Sequence, residues 1–136
     1  MNQRGFATLE VILMVMVIGI LASIAVPRFT SVTAAANTAK IQSDLATIDT
    51  AIAVYQMEYG SDPSNISALV TAKYLQAEPT PPSGKCYFDN KTEPDTVPGT
   101  GSYDLSGTGG DMCAVLGNKK ASDFYIPKKT PPSQSS

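Results

Sequence analysis

The stretch RGFATLEVILMVMVIGILASIAVPRF, from Arg4 to Phe29, decides the architecture. Between Phe6 and Val26 lie 21 residues, of which Glu10 alone is charged. At 1.5 Å per helical residue the run covers about 31 Å, the thickness of a bilayer's hydrocarbon core. A carboxylate in such a run costs about 2–3 kcal/mol or more unless it is paired, and intramembrane acids are functional by default. Arg4 ahead of the run keeps the short N-terminus cytoplasmic and exports the remainder, with Arg28 flanking the other end.

Three readings account for this segment. A secretory signal peptide uses Ser23 and Ala25 as the small residues before a cut ahead of Val26. A plain uncleaved anchor explains the length. Both leave Glu10 without a purpose. The third supposes a cut after Gly5. Phe6 then carries a free α-ammonium four residues from Glu10. A neighbouring copy, staggered along the helix axis, brings its own Phe6 ammonium to this Glu10, and two groups that are awkward in an apolar setting neutralise each other. Glu10 becomes a register mark for side-by-side assembly.

The segment resembles the class III leader and N-terminal helix of type IV pilins and pseudopilins. The resemblance rests on the short leader ending in Gly5, on Phe6, on Glu10 and on the long apolar stretch. Gly19 and Pro27 fall where pilins place helix-weakening residues, while Ala7-Thr8-Leu9 replaces the more usual Thr-Leu-Ile. It implies leader cleavage between Gly5 and Phe6 by a membrane prepilin peptidase, N-methylation of Phe6, and homopolymerisation with register set by Glu10 and Phe6. The implied partners are an assembly platform protein with a cytoplasmic ATPase, and minor pilins. The precursor is expected as a single-pass protein of the inner (cytoplasmic) membrane and the polymer as an extracellular filament, with local unwinding between Gly19 and Pro27. The filament serves adhesion, twitching motility, DNA uptake or secretion. The family alternative is a major pseudopilin of a type II secretion piston. The alternative from another class is a singly anchored or secreted binding domain.

The expected fold is α+β: a long N-terminal stem helix packed on a small antiparallel sheet. Residues 1–5 are leader, 6–27 the membrane and filament-core helix, 28–127 the head and 128–136 a disordered tail. Within the head, Ile41, Leu45, Ile48, Ile52, Tyr55 and Tyr59 recur at spacings of 4 and 3, one apolar stripe of an amphipathic helix over 28–59. Lys40, Asp44, Asp49 and Glu58 occupy other faces. Gly60 ends the helix and Pro63 blocks its continuation. A helix from Phe6 to Tyr59 is about 80 Å long, more than a small globule needs internally. SDPSNISALVTAKYLQAEPTPP predicts a short helix at about 65–76, capped by Ser64 or Asn65 and stopped by Pro79. KCYFD, SYDLS, MCAVLG and DFYIP predict three or four strands of one sheet at about 85–127, with EPDTVPGTG and SGTGGD as loops.

The two cysteines, Cys86 and Cys113, fall in predicted strands. Exported, they would form a disulfide closing 28 residues, worth about 3–4 kcal/mol in the chain-entropy account. The alternative is two buried free thiols. No histidine is present, and nucleophile elbows, phosphate loops and clustered metal ligands are missing from the sequence. No catalytic residue, cofactor or metal is therefore predicted, and the chain reads as a structural subunit rather than an enzyme. Asp104 and Asp111 flank the GTGGD loop, where oxygen ligands could hold calcium. Lys119-Lys120 and Lys128-Lys129 are basic doublets whose repetition along a polymer would multiply a weak site for DNA phosphates, although the net charge of −2 gives no general attraction.

Overall fold

The computed structural model describes residues 3–128. The chain divides into two units, one through Val32 and one from Thr33 onward. Helix α1 (Gln3–Tyr59) continues through Gly19 and Pro27 without a break. A single proline removes one backbone bond and kinks a helix without having to end it.

Every large apolar side chain from Phe6 to Ile24 is 50–76% exposed. This helix is long and apolar enough to cross a membrane.

The second unit is built on the stripe. Ile41, Leu45, Ile48 and Ile52 are at most 1% exposed. Burying each contributes about 1.5–3 kcal/mol. The stripe begins two turns earlier than the apolar pattern indicates, because Ala34 and Thr38 are also buried and keep the 4-and-3 spacing. It ends earlier too: Tyr55 is half-buried, and Tyr59 is 58% exposed. Gly60 ends α1 as expected, at φ 66° with its N–H on the Gln56 carbonyl at 2.9 Å.

The short helix α2 (Ile66–Thr71) is capped by Asn65, whose side chain accepts the Ala68 N–H at 2.8 Å. It stops before the expected residue 76. Lys73 turns left-handed at φ 67°, and the N–H of Tyr74 reaches back to the Leu69 carbonyl at 3.0 Å. This termination keeps Leu69 and Leu75 in one core, a gain that a helix extended to Pro79 would forgo.

The single sheet expected from the sequence is replaced by two ribbons. Strand β1 (Lys85–Cys86) pairs antiparallel with β2 (Asp95–Thr96), and β3 (Asp104–Ser106) with β4 (Cys113–Val115). β2 lies inside EPDTVPGTG, expected as a loop. DFYIP contributes only a bridge from Phe124 to Phe88. Two loops close against each other where a Cβ on Gly117 would stand 2.7 Å from the Gly99 nitrogen, and Gly117 sits at φ 56°. Phe88, Tyr103, Ala114, Leu116 and Phe124 from this region complete the core over the α1 stripe. The α+β class stands. The expected disordered tail lies outside the described residues apart from Lys128.

Candidate functional site

The N-terminal helix carries the candidate assembly surface. Glu10, Leu13, Met14, Val17 and Ile18 line one open groove on it. Their spacing of i, i+3, i+4, i+7 and i+8 is one helical face, so Glu10 sits at the end of an apolar stripe. Phe6, one turn before Glu10, is 76% exposed. The described ion pairs all lie elsewhere in the chain, so none involves Glu10. A Cβ on Gly19 would meet nothing within 4 Å, which leaves the helix free of side-chain bulk there. The hydroxyls of Thr8 and Ser23 are folded back onto the carbonyls of Arg4 and Ile20, at 2.8 and 2.7 Å. This face offers apolar area with one carboxylate at its end.

The head presents a different arrangement. Polar side chains flanking the buried stripe clasp the loops that cover it. Asn37 donates to the Ser83 and Lys85 carbonyls at 3.1 and 2.9 Å. Thr38 donates to the Ala34 carbonyl at 2.7 Å and accepts the Tyr87 N–H at 2.8 Å. Lys40 bridges Asp44 at 2.5 Å and the Thr80 carbonyl at 2.8 Å. The Tyr103 hydroxyl donates to Asp44 at 2.7 Å, Ala114 N–H to Asp49 at 2.6 Å, and Gln42 to the Phe124 carbonyl at 2.5 Å. Burial and then the Asp44 hydrogen bond push the Tyr103 hydroxyl well above the ordinary tyrosine range. Lys40, Asp44 and Asp49 are thus loop anchors, not merely a solvated face. Short polar residues immediately beside a buried stripe were the signal available for this role.

The cysteine staple expected from the sequence is not formed, because both residues are free thiols, Cys86 buried and Cys113 half-buried. The reason lies in the clasps. Tyr87, next to Cys86, is tied to Thr38, and Ala114, next to Cys113, is tied to Asp49. Thr38 and Asp49 stand three turns, about 16 Å, apart along α1. A disulfide needs α-carbons within about 7 Å. Burial pushes the Cys86 thiol up to about 11.

The glycine-rich loop is latched by α1 rather than open. Asp62 accepts the Gly109 N–H at 2.8 Å, and the Gln56 amide donates to Asp62 and to the Gly109 carbonyl at 2.9 and 2.8 Å. Among the described residues no three acids or cysteines gather as metal ligands. Of the basic residues, Lys119 is engaged by Asp89 at 2.5 Å and stands 5.9 Å over the Phe88 ring. Lys129 lies outside the described residues, so the second doublet is seen only as far as Lys128.

Sequence comparison agrees with the surface on the N-terminal helix. The chain is 34% identical to type II secretion system core protein G of Pectobacterium carotovorum over 81 residues, 57% of this chain and 52% of that one. It is 29% identical to the Escherichia coli core protein G over 127 residues, 81% of this chain and 83% of the relative. It is 39% identical to a type IV narrow pilus major component of Thermus thermophilus over 54 residues, 40% of this chain and 47% of that one. The chain is thus similar to members of the type IV pilin and pseudopilin family. It spans about half the length of the core protein G relatives from Pectobacterium carotovorum and Klebsiella pneumoniae. No family model matches the chain. No solved structure matches it significantly.

Proposed function

We propose that this chain is the repeating, non-catalytic subunit of a type IV pilus filament. The leader ends at Gly5, Phe6 becomes the methylated N-terminus, and the apolar helix leaves the membrane to pack against copies of itself. Glu10 receives the Phe6 ammonium of a neighbour and so sets the stagger. The observation that carries the reading is Glu10 at the end of an apolar helical face whose large side chains are all half or more exposed, one turn from Phe6. Such a surface is stable only in lipid or in a polymer. The reading brings with it a prepilin peptidase, a platform protein with its ATPase, minor pilins, and passage from the inner membrane to an extracellular filament.

A second reading is favoured by the extent of one match. The Escherichia coli core protein G relative aligns with 81% of this chain, whereas the Thermus thermophilus pilus component aligns with 40%. On that reading the same polymer is a short pseudopilus serving type II secretion. The cysteine pair no longer argues for the long filament, since it is not bridged.

Intact-mass measurement of the protein extracted from its native membrane tests what the two readings share. Both require a mature chain beginning at Phe6 and carrying one methyl group. A chain beginning at Met1 or Val26 contradicts both. Deletion of the gene then separates them: loss of surface fibres marks the pilus, and loss of secreted proteins without loss of fibres marks the pseudopilus.

A further inference from the structure

The head carries a groove that neither filament reading uses. It is made of two depressions that share Asn65 and Ser67, of about 440 and 350 Å³. One side is aromatic. Tyr55 and Tyr59 are stacked with ring centroids 4.5 Å apart at 24°, and Tyr74 meets Tyr55 edge-on at 6.1 Å. Tyr74 is itself held by a hydrogen bond to Glu58, which raises its hydroxyl to about 12 and keeps it a donor at all ordinary pH. Tyr59, 58% exposed, is the outer member of this platform. The other side is polar: Ser67 bonds Glu78, and Ser102 and Asp104 line the far depression. No lysine or arginine lines either half.

We propose that this groove binds a neutral oligosaccharide. The C–H face of a sugar ring stacks on an exposed tyrosine, and its hydroxyls are donors that match carboxylates and acceptors that match hydroxyl and amide groups. The combined volume is that of a small-ligand site with a few convergent polar groups. Charge selects among ligands that stack on aromatics. Glu78 and Asp104 in the lining, with no lining cation, repel nucleic acid and acidic glycans, and leave neutral saccharides favoured. The Asn65 side-chain oxygen is committed to capping α2 by accepting the Ala68 N–H, so its amide N–H group is what faces a ligand. The proposal concerns the head of a single subunit and holds for either kind of filament.

The test uses the full chain, nitrogen-15 labelled, in a zwitterionic detergent without a sugar headgroup. Chitotriose, maltotriose and cellotriose are titrated to millimolar concentration, with octathymidylate and a hyaluronate oligosaccharide as anionic comparisons. The expected result is saturable amide shifts at Asn65, Ser67 and Ser102 with at least one neutral trisaccharide and none with the anionic probes. Tyr59→Phe keeps the binding, and Tyr59→Ala weakens it about tenfold with the rest of the spectrum unchanged. Three results overturn the proposal: no saturable shift with any neutral trisaccharide, equal binding by Tyr59→Ala, or tighter binding of either anionic probe.

Discussion

The Asp49 carboxylate accepts the backbone N–H of Ala114 at 2.6 Å, joining the middle of α1 to the strand that closes the core. Ala114 is fully buried, so without Asp49 its N–H has no water to turn to. Asp49→Ala is expected to cost about 1–3 kcal/mol, the penalty for stranding a buried donor, and more where the lost acceptor is charged. For a head of this size each kcal/mol moves the melting temperature by about 4–8 °C. Thermal unfolding followed by circular dichroism checks this, with Asp49→Asn expected to recover part of the loss because its amide oxygen still accepts.

Thr38 makes a second such contact, and its hydroxyl cannot be replaced by shape alone. Thr38→Val keeps the volume but leaves the Tyr87 N–H unpaired, so a loss of about 1–3 kcal/mol is expected, and Thr38→Ser is expected to keep most of the stability. Equal melting temperatures for the Val and Ser variants would show that the hydroxyl contributes nothing.

These two clasps mark the boundary of what the sequence reveals. The stripe from Ile41 to Ile52 is legible because the helical period is local and repeats over three turns. Gly60 is legible because a left-handed C-terminal residue favours glycine. Ribbon pairing is not. Asp95 and Thr96 are both exposed and show no apolar alternation, so β2 leaves no trace until it meets β1. The cysteines mislead for a similar reason: their separation is set by Thr38 and Asp49, residues far from them in the chain. On the N-terminal helix the reverse holds. Glu10 stands out from composition alone as a lone acid in an apolar run, whereas the parts given to Gly5 and Phe6 come from the family resemblance.

The thiols give a third prediction. Denatured but unreduced protein should show two reactive thiols, and the melting temperature should not change with reductant. In the native state Cys113 should be alkylated first, since Cys86 is buried and its pKa stands at about 11. The sign for stability follows. A thiol with an ordinary value of 9.0 that is raised on folding contributes stability below pH 9, and loses it as pH rises through about 11. A single blocked pair in the unreduced protein would contradict this.

Tyr103 extends the same argument to higher pH. Its hydroxyl, buried and bonded to Asp44, is raised above the ordinary value of 10.0, so the folded state holds its proton longer than the unfolded chain. Its contribution is complete below pH 10 and is lost as pH rises beyond it. Tyr103→Phe should lower stability at pH 7, where the hydrogen bond is lost, and flatten the decline between neutral and strongly alkaline pH. Denaturant melts of both proteins across that range check the slope. Parallel slopes would rule out Tyr103 as a source of the alkaline loss.

The central claim is that Glu10 exists to meet a neighbour's N-terminus, and electron microscopy of cells expressing only Glu10→Val tests it most directly. Removing the carboxylate makes the helix easier to insert by about 2–3 kcal/mol. It also leaves each incoming Phe6 ammonium unpaired in an apolar stem, at several kcal/mol before relaxation. The account predicts normal amounts of membrane-extractable, leader-cleaved protein and few or no filaments. Abundant filaments built only from Glu10→Val subunits would contradict it.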